Sequence, residues 1–237
     1  MTKLYEHGTL AMLMDGMMDG TMTLADLMTH GDTGIGTLTG TNGELTILDG
    51  EVYHAKSDGE VVHITDLTVA TPFSSVHFNE PTVMLAFDVV DAQSLTAHLG
   101  DHDLANVFSG IKLHGTFQHI HVRVAKEQSQ PYPSLLDVAE GQAEFQARDI
   151  TGTLVGYYAP EIFAGPTTAG WHIHFISDDK QFAGHVLDFS ASQLKGSLQI
   201  FDDFVQHLPI DNQNFRKMKQ NMNGLKENIA KSEGGHH

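Results

Sequence analysis

The sequence predicts an α+β fold in which mixed and antiparallel β-sheets dominate and the helices are few and short. Three observations lead there. From Gly34 onward, GIGTLTGTNGELTILDGEVYHAKSDGEVVHI strings short β-prone runs between Asn-Gly and Asp-Gly, the strongest local hairpin signals. Residues 110–127, GIKLHGTFQHIHVRVAKE, alternate in strand fashion, with successive side chains on opposite faces. Helical periodicity is confined to brief stretches that begin at a capping residue.

Taken in order, TLAMLMDGMMDGTMTLADLMT (9–29) reads as a short helix, a turn, and a second short helix starting near Thr23, with the methionines as core packing. An antiparallel meander follows from Gly34. A helical pattern returns over 91–108, where Asp91 offers a start and Gly100 a possible division. The strand at 110–127 is ended by QPYPSL, because proline lacks the amide donor. LLDVAEGQ is a short helix, and AEFQARDITGTLVGYYAP, GWHIHFISD and GHVLDFSASQLKGSLQIF are strand-like. The closing NQNFRKMKQNMNGLKENIAKSE is polar and Lys-rich and reads as a frayed helical tail.

With 237 residues the chain can bury one sizeable core or two modest lobes; the junctions near 110 and 131 are the candidate boundaries. A hydrophobic fraction of 41% and 13 Phe spread along the chain fit a globular protein. Thirty acidic against 13 basic residues, a formal charge of −17, repel phosphate backbones and anionic lipid. Nucleic acid and membrane are therefore excluded as main partners, and a small-molecule substrate is expected. The N-terminus is interrupted by Glu6, His7, Asp15 and Asp19, unlike a signal peptide, and no apolar run reaches the roughly 18 residues of a membrane span. The expected compartment is the cytoplasm. The final GGHH is given no functional weight.

The chain has no cysteine, so a metal would have to rest on histidine, carboxylate and water. His172, His174 and His185 follow the spacing H-x-H-x10-H. On a strand, His172 and His174 share one face, with Trp171, Ile173 and Phe175 on the other. SDDKQFAG is long enough to turn the chain and return His185 beside them. Three neutral imidazoles on adjacent strands can fill three positions of a tetrahedral Zn2+ site and leave the fourth open. Among 16 histidines, a lone pair such as His119 and His121 reads as ordinary strand residues; the third histidine makes the 172/174/185 set more specific. By itself the spacing points to a metal and names no reaction.

The chain resembles the α-acetolactate decarboxylases, over nearly its full length and in unbroken order. The resemblance is carried by LAMLMDGMMDGTMTLADLMTHGDTGIGTLTGTNGELTILDGEVYHAKSDG, TPF, VRVAKEQSQPYPSL, GTLVGYYAP, GWHIHFISDDKQFAGHVLDF and the tail SEG; it is weakest over 80–105. It implies zinc held by His172, His174 and His185, active-site glutamates at Glu44 and Glu233, a substrate-binding arginine at Arg123, and Thr37 beside the substrate. Glu227 is the alternative for the tail glutamate. It also implies two lobes, divided here as 1–110 and 111–237 with the histidines in the second, and a homodimer. The implied reaction takes 2-acetolactate to acetoin and CO2, with the other enantiomer entering through a carboxylate migration.

That chemistry suits these groups. Losing CO2 from a β-keto acid leaves an electron pair for the neighbouring carbonyl, and a Lewis acid on that oxygen lowers the barrier. Arg123 offers a planar, permanently charged fork for the carboxylate. Glu44 and Glu233 would donate and relay a proton, for which one carboxyl should be protonated at neutral pH. Two other readings remain at this point: a zinc hydrolase working through metal-bound hydroxide, and a non-catalytic module that binds a metal or small ligand.

Overall fold

The structure is a computed structural model that describes residues 1–221 and 223–232. Its first half runs β1 (Lys3–His7), α1 (Leu10–Met14), β2 (Met22–Thr23), α2 (Leu24–Leu27), β3 (Thr33–Leu38), β4 (Asn42–Leu48), β5 (Glu51–Ala55), β6 (Val61–Ile64), β7 (Ala70–Thr71), β8 (Phe73–His77), β9 (Val83–Asp91) and α3 (Ala92–Gly100). The second half continues with β10 (Ser109–Val124), α4 (Leu135–Glu140), β11 (Ala143–Ala147), β12 (Ile150–Ala159), β13 (Gly170–Ser177), β14 (Ala183–Ile200), β15 (Asp203–His207), α5 (Gln213–Lys217) and α6 (Leu225–Ser232). The fold is α+β with dominant sheets and short helices, as the sequence predicts.

The helices begin where short polar side chains can satisfy their first amide groups. Thr9 and Thr23 each accept a hydrogen bond from a first-turn amide, and Asp91 with Ser94 and Ser134 with Asp137 form reciprocal capping boxes. α3 ends at Gly100, the residue marked as a possible divider. Asp49 and Gly50 have φ of 53° and 82° and make the β4–β5 turn expected of Asp-Gly. Asn42-Gly43 behaves differently from the hairpin expectation. The chain turns earlier, through a 3-10 turn at Thr39–Thr41, and Asn42-Gly43 opens β4. Gly43 has φ +66°, and a Cβ there would stand 2.1 Å from the Ala55 carbonyl oxygen. Glycine is needed because the strand is kinked at this point, where the β3–β4 register shifts.

The strands form two large sheets. The first has seven strands in the order β15-β1-β8-β3-β4-β5-β6 and contains the predicted meander. Its β15–β1 pairing is parallel and joins residues some 200 positions apart; its other pairings are antiparallel. The second has the order β11-β10-β12-β13-β14-β9, and β10 also pairs with β14. That extra pairing closes β10, β12, β13 and β14 into a ring of antiparallel neighbours. The 16-residue β10 and 18-residue β14 accommodate this with several register shifts.

Period-two alternation along β13 divides two cores. Phe175 packs edge-on against Phe117, which also meets Phe189, with ring centroids 4.8 and 5.8 Å apart. The opposite face of the same strand carries His172, His174 and Ile176, and Ile176 packs with Leu4, Ile35 and Leu48 of the first sheet. The two histidines therefore lie on the side that meets the other sheet.

The methionine-rich segment is buried, with Met12 and Met18 wholly inaccessible. The tail differs from the frayed helix expected. Leu225 and Ile229, one turn apart on α6, are buried against α1 and α4, so its polar composition describes only the outer face.

Candidate active site

Pairing register assembles the histidines. His174 on β13 lies opposite His185 on β14, and His185 lies opposite Arg123 on β10. The turn between β13 and β14 is pinned by Ser177, whose hydroxyl oxygen accepts from the amides of Gln181 and Phe182. A side chain at Gly184 would come 2.8 Å from the Arg123 carbonyl oxygen, so glycine lets β14 lie close to β10 beside the site. The imidazole centroids are 5.3 Å (His172–His174), 4.7 Å (His172–His185) and 5.6 Å (His174–His185) apart. One nitrogen of each ring lies within 4.8 Å of the other two.

Burial sets the charge of these rings. His174 is wholly buried, and its Nδ1 donates to the Leu45 carbonyl at 2.8 Å, because a carbonyl can only accept. That bond fixes the tautomer and leaves the Nε2 lone pair facing the trio. Nε2 makes no hydrogen bond, and Glu44 Oε2 stands 3.6 Å away. Desolvation holds the His174 pKa well below the usual range, assisted by His172 and opposed by the Leu45 bond. The His172 pKa is pushed down to about 3, by burial first and then by the Arg123 guanidinium. A buried, unbonded nitrogen among neutral imidazoles is a poor arrangement for protein alone and a good one for a divalent cation. Among the described residues this is the cluster with the donors to hold one.

His172 and His185 line a pocket together with Thr37, Glu44, Arg123 and Gln142. Leu10, Leu13, Phe73, Leu135 and Val138 supply its apolar wall, brought there by α1 and α4. Arg123 is buried; its Nη1 donates to Gln142 Oε1 at 3.0 Å and to the Ser232 carbonyl, and its Nη2 lies 3.4 Å from His185 Nε2. Glu44 Oε1 accepts from the Ala125 amide at 3.2 Å. The Thr37 hydroxyl donates to the Gly43 carbonyl at 2.7 Å, bracing the kink that precedes Glu44.

The structure thus gathers Thr37, Glu44, Arg123, His172, His174 and His185 at one place. Glu233 lies outside the described residues, and Glu227 is exposed in the first turn of α6. His119 and His121 stay out of the cluster; His121 contacts Glu144 at 3.0 Å on the strand surface. Sequence reasoning missed Gln142, the Leu45 and Ser232 carbonyls, and the apolar wall. Nothing local marks a backbone carbonyl as a partner, although the methionine-rich segment that contains α1 was legible as core and α4 as a short helix.

Comparison with known proteins identifies the family of the chain. The family model described as alpha-acetolactate decarboxylase matches residues 4–222. The enzyme of that name from Lactococcus lactis subsp. cremoris is 36% identical over 234 residues, covering 98% of each chain. The crystal structure of alpha-acetolactate decarboxylase from Bacillus subtilis superposes with a TM-score of 0.94 at 26% identity, covering 98% of this chain and 99% of that one. A Staphylococcus aureus protein described as similar to alpha-acetolactate decarboxylase also gives 0.94, at 38% identity over 97% of this chain and 99% of its own.

Proposed function

The chain belongs to the alpha-acetolactate decarboxylase family and is a carboxy-lyase, and on that premise we propose that it converts 2-acetolactate to acetoin and CO2 using zinc held by His172, His174 and His185. The observation that carries the metal reading is the convergence of buried neutral imidazoles on a pocket that also presents Arg123 and Glu44. Neutral nitrogen donors suit zinc, with nickel and cobalt as chemical competitors. When bound, the ion supplies a Lewis acid at the ketone oxygen, toward which the electron pair of the breaking C–C bond moves.

The residues of the chain do the rest. Arg123 receives the substrate carboxylate, and its anchoring by Gln142 and Ser232 restricts where the guanidinium can point. That grip must tighten as charge redistributes, since equal binding before and after would not speed the loss of CO2. Thr37 braces the backbone before Glu44 and sits beside the substrate. Glu44 and Glu233, the residue after Ser232, hold and deliver the proton to the carbon that carried the carboxylate, which sets the hand of acetoin. The Leu10, Leu13 and Val138 side chains keep water from competing for that carbon.

We read the enzyme as a cytoplasmic homodimer of two-lobed subunits. No helix among the described residues is long and apolar enough to cross a membrane. Exposed Met84 and Val89 on β9, an end strand of the second sheet, support self-association. The test of the function is acetoin formation from racemic 2-acetolactate, before and after chelation. Activity should vanish on chelation, return with zinc, and fail to return in His174→Ala. Full activity in demonstrably metal-free protein would refute the metal reading.

A further inference from the structure

Gln142 occupies the joint between α4 and β11. On one side Gly141 closes α4; on the other Ala143 opens β11 by pairing with Val124 of β10, and Glu144 pairs with Arg123. Leu135 and Val138 anchor the helix in the core beside α1 and α6. The Gln142 backbone is thus fixed from both directions, next to the strand position that carries Arg123. Its half-buried side chain lines the reaction pocket.

Hydrogen-bond accounting sets which way the amide points. A guanidinium only donates, so the atom 3.0 Å from Arg123 Nη1 is the amide oxygen of Gln142. Nη1 also donates to the Ser232 carbonyl, which commits both of its hydrogens to the protein. The amide nitrogen Nε2 is bonded to the same carbon as Oε1 and stays at this end of the fork. It carries two hydrogens and has no acceptor among the described residues.

We propose that Gln142 is a substrate-binding residue whose Nε2 donates a hydrogen bond to the carboxylate of 2-acetolactate beside Arg123. The inference rests on the decarboxylase reading of this pocket. Where Nη1 has no hydrogen left to give, the amide extends the row of donors that the carboxylate meets. As the C–C bond breaks, its electron pair moves toward the ketone and the carboxylate becomes neutral CO2, a weaker acceptor. The contact therefore holds the bound substrate and does not lower the barrier to its decarboxylation.

The experiment is steady-state acetoin formation from racemic 2-acetolactate by the zinc-loaded full chain, unchanged and as Gln142→Met and Gln142→Glu. Alongside it, calorimetry follows binding of 2-hydroxyisobutyrate, an α-hydroxy carboxylate that has no ketone and does not react. Gln142→Met should raise KM about tenfold with kcat within about threefold, and weaken 2-hydroxyisobutyrate by a similar factor, the size of one hydrogen bond to a charged group. Gln142→Glu keeps an acceptor for Arg123 but sets a carboxylate against that of the substrate, and should raise KM further. If Gln142→Met does not fold, the isosteric Gln142→Glu decides. KM and 2-hydroxyisobutyrate affinity within about twofold of the unchanged chain in both variants overturn the contact. A fall in kcat at unchanged KM also overturns it, because the role is then exercised only through Arg123. An unchanged chain that forms no acetoin overturns the decarboxylase reading, and the contact with it.

Discussion

Zinc affinity should fall far less on acidification between pH 7 and pH 5 than for three ordinary imidazoles, because two of the three ligands are already held neutral. An ordinary imidazole with a pKa near 6.5 becomes protonated over that interval and loses about 25-fold in its capacity to bind a cation. Two such ligands would lose several hundredfold. In this protein burial pushes the His172 pKa down to about 3 and holds that of His174 well below the usual range, so those two ligands lose little between pH 7 and pH 5. Even an ordinary third imidazole would add only one factor of about 25. The measurement is competition against a chelator of known proton affinity, at half-unit steps of pH, with circular dichroism to verify that the fold persists. A fall in zinc affinity of several hundredfold between pH 7 and pH 5, with the fold intact, would refute the argument that burial sets the ligand state.

Other outcomes follow from single contacts. Burial pushes the Glu6 carboxyl up to about 8, so its contribution to stability is intact below its unfolded pKa near 4.5 and is lost as pH rises toward 8. Glu6→Gln should match the unchanged chain at pH 4 and exceed it by up to about 5 kcal/mol at pH 8.5 in urea unfolding; parallel curves would contradict this. Arg123→Lys cannot reproduce a fork shared among Gln142, Ser232 and a carboxylate, and should lower kcat/KM about 100-fold with zinc content unchanged. Ile229→Ala should remove about 2–5 kcal/mol of packing from α6 and, by loosening the Ser232–Arg123 contact, lower kcat/KM and expose the tail to protease before the sheets unfold.

How far the sequence could be read depended on the range of the interaction. Thr23, Asp91 and Ser134 act within one turn, so helix starts were visible in short windows. Asp49-Gly50 made the turn its dipeptide implies, but Asn42-Gly43 did not, because the contact between Gly43 and the Ala55 backbone decided its role. The Lys-rich tail read as frayed because what Leu225 and Ile229 pack against lies far away in the chain. Of the site, the histidine set could be found from spacing, whereas Thr37, Glu44 and Arg123 were found only through resemblance to a family.

The sequence by itself determined the donors: three imidazoles without any thiol, two of them on one strand face and the third one turn away, since alternation is a local rule. Only the tertiary structure decided their state and company. Desolvation depends on every atom packed around a ring, and it is the closing of the second sheet against the first that strips water from His174 and aims its Nε2 beside Glu44. The pairing of β10 with β14 brings Arg123 beside His185, and the packing of α6 against α1 and α4 ties it to Ser232, more than one hundred residues further along the chain.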